Sequence, residues 1–193
     1  MLYTRKGDDG TTRTLGSKTS RRISKSSCQT EALGALDELN SFLGLAKVAA
    51  SKVSWLVGGQ KQSRSKGLKL SAVLHRIQND LFVVQAEVAG SEKHIKAEQV
   101  KTIEKLIDEI EGELPPIKTF FISGGTDLAA LLDVCRTLAR KAERRLIKAL
   151  EEKSIRVNSG TLSFMNRLSS ILYALARLAN FKSGTSEEAP WYN

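Results

Sequence analysis

The sequence predicts an all-α protein, a five-helix up-and-down bundle with an extended N-terminal segment. Three observations carry that expectation. Five stretches repeat apolar residues at steps of three and four, as a helix with one buried face requires. No run of residues has convincing strand character. The connections are short, apart from residues 51–69. At 193 residues the chain reads as a single domain, 1–193: an N-terminal segment at 1–30, a helical bundle at 31–182 and a tail at 183–193.

The first 30 residues are polar and lack helical periodicity. Within them lies YTRKGDDGTT, residues 3–12. Glycines three apart let consecutive N–H groups point one way and form an anion nest. Threonine hydroxyls and the cations Arg5 and Lys25 would complete a phosphate site. Taken alone, the same stretch reads as an ordinary flexible N-terminus. The neighbouring GTTRTLGSKT, residues 10–19, resembles a P-loop only at a glance. Five residues separate its glycines, a serine intervenes before Lys18, and no apolar strand precedes it.

The helices follow in order. Residues 31–50 carry a seam of Leu36, Leu39, Leu43, Ala46 and Ala50, with Asp37, Asn40, Ser41 and Gly44 on another face. Asp37 suits either solvent or a partner such as Arg136, across helices or across subunits. Residues 51–69 hold Gly58-Gly59 and several Lys, Arg and Ser, and read as a long mobile loop. Trp55 within it suits a local anchor or a partner contact. Residues 70–89 repeat Leu70, Leu74, Ile77, Leu81, Val84 and Val88 at heptad spacing before Gly90. Residues 95–113 place Val100, Ile103, Ile107, Ile110 and, just beyond, Leu114 on one face, and Pro115-Pro116 stops them.

The stretch FFISGGTDLAALLDVCRTLARKAERR, residues 120–145, is the most informative. A short apolar segment runs into a Gly-Gly turn, and a helix follows over 126–153. Leu128, Leu131, Cys135, Leu138, Ala142 and Leu146 form its apolar stripe. Asp133, Arg136, Arg140, Glu143 and Arg144 share another face. Arginines a turn apart suit phosphate oxygens, which guanidinium groups engage in pairs. A solvated face laced with ion pairs suits them equally. The last helix, 159–182, turns Leu162, Met165, Leu168, Leu172, Leu175 and Ala179 to the core. Asn166, Ser169, Ser170, Tyr173 and Arg177 share its polar face. Asn166 suits a capping amide or a nucleotide contact. The tail SGTSEEAPWYN is expected to be mobile.

Composition narrows the function classes. A formal charge of +9 favours anionic partners. No signal peptide and no apolar run of membrane-spanning length is evident, so a cytoplasmic protein is expected. Cys28 and Cys135 are the only cysteines and do not form CxxC, so neither a disulfide framework nor a zinc site is expected. His75 and His94 are isolated.

Five segments in the right order make the chain resemble the PduO-type corrinoid adenosyltransferases, the ATP:cob(I)alamin adenosyltransferase family. They are YTRKGDDGTT at 3–12, SKSSCQTEALGALDELNS at 24–41, LHRIQNDLFVVQAEVA at 74–89, FFISGGTDLAALLDVCRTLARKAERR at 120–145 and NRLSSILYALARLAN at 166–180. The likeness covers nearly the whole chain except residues 51–69. It implies a cobalamin adenosyltransferase-like, ferritin-like five-helix bundle, assembled as a homotrimer with active sites between subunits. It implies transfer of the 5′-deoxyadenosyl group of ATP to the cobalt of cob(I)alamin, with triphosphate released. ATP is then co-substrate, Mg²⁺ accompanies it through the phosphates without a dedicated protein cluster, and cobalamin is substrate. A reductase and an adenosylcobalamin-dependent acceptor enzyme are further implied partners; nucleic acid and membrane are not.

The resemblance also assigns residues. The triphosphate-wrapping segment falls on Thr4, Arg5, Gly7, Asp8, Gly10 and Thr11, and its lysine on Lys25. The arginine-rich helix matches at Arg136, Arg140, Glu143 and Arg144, and the asparagine at Asn166. An intersubunit Asp–Arg pair falls on Asp37 and Arg136. The phenylalanine that crowds the lower corrin face falls on Phe120, for which core packing is the alternative. Three positions depart from the pattern: Ser123 for proline, Lys141 for an arginine, and Ser170 for aspartate. Lys141 keeps charge without the fork, which would weaken one phosphate contact. Two other classes compete, a basic bundle that binds nucleic acid and a relative that binds ATP or cobalamin only to deliver it. Sparse aromatics and the absence of familiar motif patterns count against the first. Arg5, Lys25, Arg136, Arg140, Glu143 and Asn166 count against the second.

Overall fold

The structure, a computed structural model, describes residues 3, 5–14, 22–59 and 67–192. Five helices dominate it: α1 (Cys28–Ala50), α2 (Leu70–Val88), α3 (Ala97–Glu111), α4 (Asp127–Glu151) and α5 (Ser159–Lys182). α4 lies between α1 and α5; α2 flanks α1, and α3 flanks α5. Among the described residues no helix is long and apolar enough to cross a membrane.

Local chemistry sets the helix starts. The Ser27 hydroxyl accepts the Thr30 N–H at 3.3 Å, so α1 begins three residues before the periodic pattern. Thr126, expected as the first helical residue, is instead the cap of α4 and accepts the Ala129 N–H at 3.2 Å. The Asn158 side chain caps α5 through Gly160 N–H at 2.8 Å. At α3 the Gln99 carboxamide reaches back to Lys96 N–H at 2.8 Å.

The core is one cluster running through all five helices. Leu36, Leu39, Leu43, Leu74, Leu81, Leu132, Leu146 and Phe164 are fully buried in it. Each such side chain stabilises the fold by about 1.5–3 kcal/mol relative to exposure. On α4 the buried set is Leu128, Ala129, Leu132, Cys135, Ala139, Ala142, Leu146 and Ala149. Leu131 and Leu138, expected within the stripe, are only partly buried. The reason is that α4 packs against two helices, so its buried arc is wide and alanines take the closest approach. Ile107, Leu114 and Leu162 are likewise half-buried at helix edges.

Among the described residues four two-residue strands lie outside the helices, where no strand is expected. β1 (Thr11–Thr12) pairs antiparallel with β2 (Ile23–Ser24), Thr11 opposite Ser24. β3 (Leu56–Val57) pairs antiparallel with β4 (Leu68–Lys69). The second pair ties the two ends of the expected loop together, with Val57 buried and Trp55 packed on the core. The tail also differs from expectation: Ile122 N–H donates to the Glu188 carbonyl at 2.8 Å, and Glu187 pairs with Arg177.

Candidate active site

The N-terminal turn is built by short-range bonds. Gly10, at φ +76°, lets the chain reverse, and its N–H donates to Gly7 O at 3.2 Å. Asp9 Oδ1 accepts the Thr11 N–H at 3.0 Å and the Thr11 hydroxyl at 2.7 Å. Those two bonds hold the Asp9 carboxyl below the usual carboxylate range. Arg22, which sequence reasoning missed, braces the turn by donating to the Thr11 hydroxyl and, at 2.8 Å, to the Thr11 carbonyl. Lys25 Nζ donates to Gly7 O at 2.7 Å, placing its charge beside the turn. Arg5 lies over the Tyr3 ring at 5.5 Å, and Asp8 is exposed. Thr4 lies outside the described residues.

A second group of residues lines a cavity of about 650 Å³ between α4, α5 and loop 117–123. Arg136 and Arg140 line one wall, one turn apart on α4. Ser169, Ser170 and Tyr173 come from α5, and Phe120 and Ser123 from the loop. Phe120 is 78 % exposed, so it does not pack in the core. Arg136 donates to Asp133 Oδ1 at 2.9 Å and lies over the Tyr173 ring at 5.8 Å. The Arg140 guanidinium has no hydrogen bond or ion pair among the described residues, although its backbone carbonyl accepts from Arg144 Nη1 at 3.1 Å. Burial raises the Tyr173 phenol above its usual value and pushes the Cys135 thiol up to about 12. Cys135 is therefore an inert core thiol.

At the next turn of α4, the Asn166 amide donates to Glu143 Oε1 at 3.2 Å. Its oxygen accepts from Arg167 Nη1 at 2.7 Å, and Arg167 Nε donates to Glu104 Oε1 at 3.0 Å. Both ends of the amide are thus committed, which fixes its orientation. Asp37 is exposed on α1, and within one chain it is not brought to Arg136, whose carboxylate partner is Asp133. The hydrogen bonds described for Arg5, Gly7, Asp9, Thr11 and Lys25 stay within residues 3–25. One chain therefore presents an N-terminal turn with Gly7, Gly10, Thr11 and Lys25, a basic, aromatic-rimmed cavity with Arg136, Arg140 and Phe120, and, outside that lining, the Glu143–Asn166 pair and Asp37.

The family model for cobalamin adenosyltransferases matches residues 2–179. This chain belongs to the cobalamin adenosyltransferase family. It is 35% identical over 190 residues to the corrinoid adenosyltransferase of Bacillus subtilis, covering 96% of this chain and 90% of that one. It is 37% identical over 183 residues to the corrinoid adenosyltransferase PduO of Citrobacter freundii, covering 91% of this chain but 49% of that one. The chain thus spans about half the length of that PduO relative. Its fold matches a variant PduO-type ATP:corrinoid adenosyltransferase from Lactobacillus reuteri, solved with cobalamin and ATP. The TM-score is 0.82 at 30% identity, with each chain covered over 100%. An arginine-to-lysine variant of that enzyme complexed with ATP matches with a TM-score of 0.81.

Within this adenosyltransferase family member, the three departures have distinct settings. Ser123 and Ser170 line the cavity. Lys141 does not face it: its ammonium pairs with Glu38 Oε2 on α1 at 2.6 Å. Within one chain Lys141 is thus turned to Glu38 and away from the cavity where a weakened phosphate contact was expected. Arg177, read as part of a polar face, is buried. Its signal was present in the sequence as one charge inside the apolar run Leu175-Ala176-Arg177-Leu178-Ala179.

Proposed function

We propose that this chain transfers the 5′-deoxyadenosyl group of ATP to the cobalt of cob(I)alamin and releases triphosphate. The observation that carries this reading is the cavity in which Arg136 and Arg140 face a loop bearing the exposed Phe120. An exposed aromatic beside two arginines fits a large, flat, partly apolar substrate next to a polyphosphate. The solved relative holds cobalamin and ATP together.

In this reading the cobalt(I) electron pair attacks C5′ of the ribose. The C5′–O bond breaks, and its electrons leave on triphosphate. No proton needs moving, so the chain's work is alignment and charge stabilisation. Thr4, Arg5, Gly7, Asp8, Gly10, Thr11 and Lys25 wrap the triphosphate, the arginine-rich helix with Arg140, Glu143 and Arg144 completes its site, and Asn166 also contacts ATP. Among the described residues no group of three or more His, Cys, Asp or Glu is placed to hold a metal. Mg²⁺ in this reading is carried by the phosphate oxygens. Phe120 occupies the lower face of the corrin and displaces the lower axial ligand, which makes cobalt(II) easier to reduce.

The reading includes a homotrimer. The phosphate-type turn of one copy closes on the cavity of the next, and Asp37 of one copy pairs with Arg136 of its neighbour. Exposed Phe42, Leu45 and Val48 on α1, and Phe82 on α2, supply apolar surface for that association. On α5 only Phe181 is a large exposed apolar side chain, so α5 adds little apolar surface to that of α1 and α2.

The test is an anaerobic visible-spectrum assay with chemically reduced cob(I)alamin, ATP and Mg²⁺. ATP-dependent appearance of light-sensitive adenosylcobalamin is the expected result. No product while ATP still binds would replace catalysis with a delivery role. Neither product nor ATP binding would leave only a shared scaffold.

A further inference from the structure

Phe120 is too exposed to be held by its own packing. Its position must come from its neighbours in loop 115–123, and several of these converge on one buried side chain. Arg177, on α5, is 5% exposed. Its Nε donates to both carboxylate oxygens of Glu187 at 3.0 Å, and its Nη2 lies 3.0 Å from Glu187 Oε2. Nη2 also donates to the Pro115 carbonyl at 3.1 Å. The guanidinium lies over the Phe121 ring at 5.2 Å. One cation therefore joins α5, the start of the loop, the residue beside Phe120, and the tail. The tail in turn holds Ile122 through the Glu188 carbonyl at 2.8 Å.

We propose that Arg177 is a positioning residue that holds Phe120 at the cavity rim through Glu187, the Pro115 carbonyl and the Phe121 ring. A buried guanidinium requires this degree of pairing, because an unpaired buried charge is costly. Fork, carbonyl and ring together define the loop in three directions, as a side chain that must press on a flat substrate requires. The consequence for the reaction rests on the adenosyl-transfer reading; the clamp itself does not.

The test uses the full chain with Arg177→Met and, as a milder change, Arg177→Lys, which keeps the charge and loses the fork. Two assays are compared, one from cob(II)alamin with a reduced flavin as one-electron donor, the other from pre-reduced cob(I)alamin. Arg177→Met is expected to lower the first more than the second, by roughly ten- to a hundredfold, the scale of a small misplacement. Added to Phe120→Ala, it should lower the ratio no further. Trypsin cleavage after the exposed Lys118 provides a readout independent of activity, and should accelerate in both Arg177 variants while helical circular dichroism is retained. Equal losses in the two assays, or additivity with Phe120→Ala, would overturn the positioning role. Unchanged cleavage at Lys118 would overturn the clamp. Failure of the unaltered chain to make product from cob(I)alamin would instead sink the adenosyl-transfer reading, leaving the cleavage result to judge the clamp.

Discussion

Arg136 and Arg140 stand one turn apart on α4, yet among the described residues only Arg136 of the two has a carboxylate partner. Asp133 orients Arg136 and offsets part of its charge, whereas the Arg140 guanidinium lines the cavity with no such partner among the described residues, which in the proposed reading leaves its charge for the triphosphate. Arg140→Ala should therefore lower adenosyl transfer on the order of a hundredfold and leave the helical circular dichroism intact; ordinary turnover would remove Arg140 from the site. Asp80, on α2, has a different kind of stress. Burial raises its pKa, against the lowering effects of the Gln99 hydrogen bond at 2.6 Å and of Arg76. The folded chain then holds this proton more tightly than the unfolded chain. Stability falls as pH rises from the unfolded value of ~3.9 through the higher folded value. Asp80→Asn should remove that slope, so urea unfolding should find the variant more stable at neutral pH and equal at acidic pH. A constant difference at every pH would show that the carboxyl's ionisation is not the cause.

At the scale of elements, loop 115–126 is held by α5 at both ends. Arg177 takes the Pro115 end, and Asn180 takes the other. Asn180 Oδ1 accepts the Thr126 N–H at 2.9 Å, and Nδ2 donates to Gly124 O at 2.9 Å. Gly125 sits against this amide at φ +95°, where an added Cβ would come within 2.4 Å of Asn180 Oδ1. Gly125→Ala should cost about 1–3 kcal/mol through strain and displacement. By calorimetry that is a fall in Tm of roughly 3–10 °C. An unchanged Tm would mean that the loop is not held by Asn180. The same interlocking ties α5 to a cavity whose Arg136 and Arg140 lie on α4.

At the scale of the whole molecule, the hydrogen bonds described for Gly7, Asp9, Thr11 and Lys25 stay within the N-terminal segment, while Arg136, Arg140 and Phe120 line the cavity by α4 and α5. A homotrimer joins them in the reading proposed above. The unaltered chain should sediment at about three times its 21.2 kDa mass. Asp37→Ala should cost on the order of tenfold in turnover, as loss of a charged partner across the interface can. A monomer with full activity would refute the shared site.

By itself the sequence determined the helices, because each must bury an apolar face and the period of that face is written in the residues. The bounds of α5 were legible to the residue, and α1 was late by three because Ser27 caps through a single hydroxyl. The glycine turn at Gly7–Gly10 and the basic face of α4 were legible because charge and glycine spacing are local. The hairpin at β3 and β4, the docked tail and the buried Arg177 were not. Each depends on contacts across the chain: Leu56 to Lys69, Ile122 to Glu188, and Arg177 to Pro115 and Glu187. Only tertiary structure decided that Lys141 turns to Glu38 while Arg140 faces the cavity, since residues side by side on one helix meet different neighbours. Periodicity states which residues share a face; what that face meets is settled by packing.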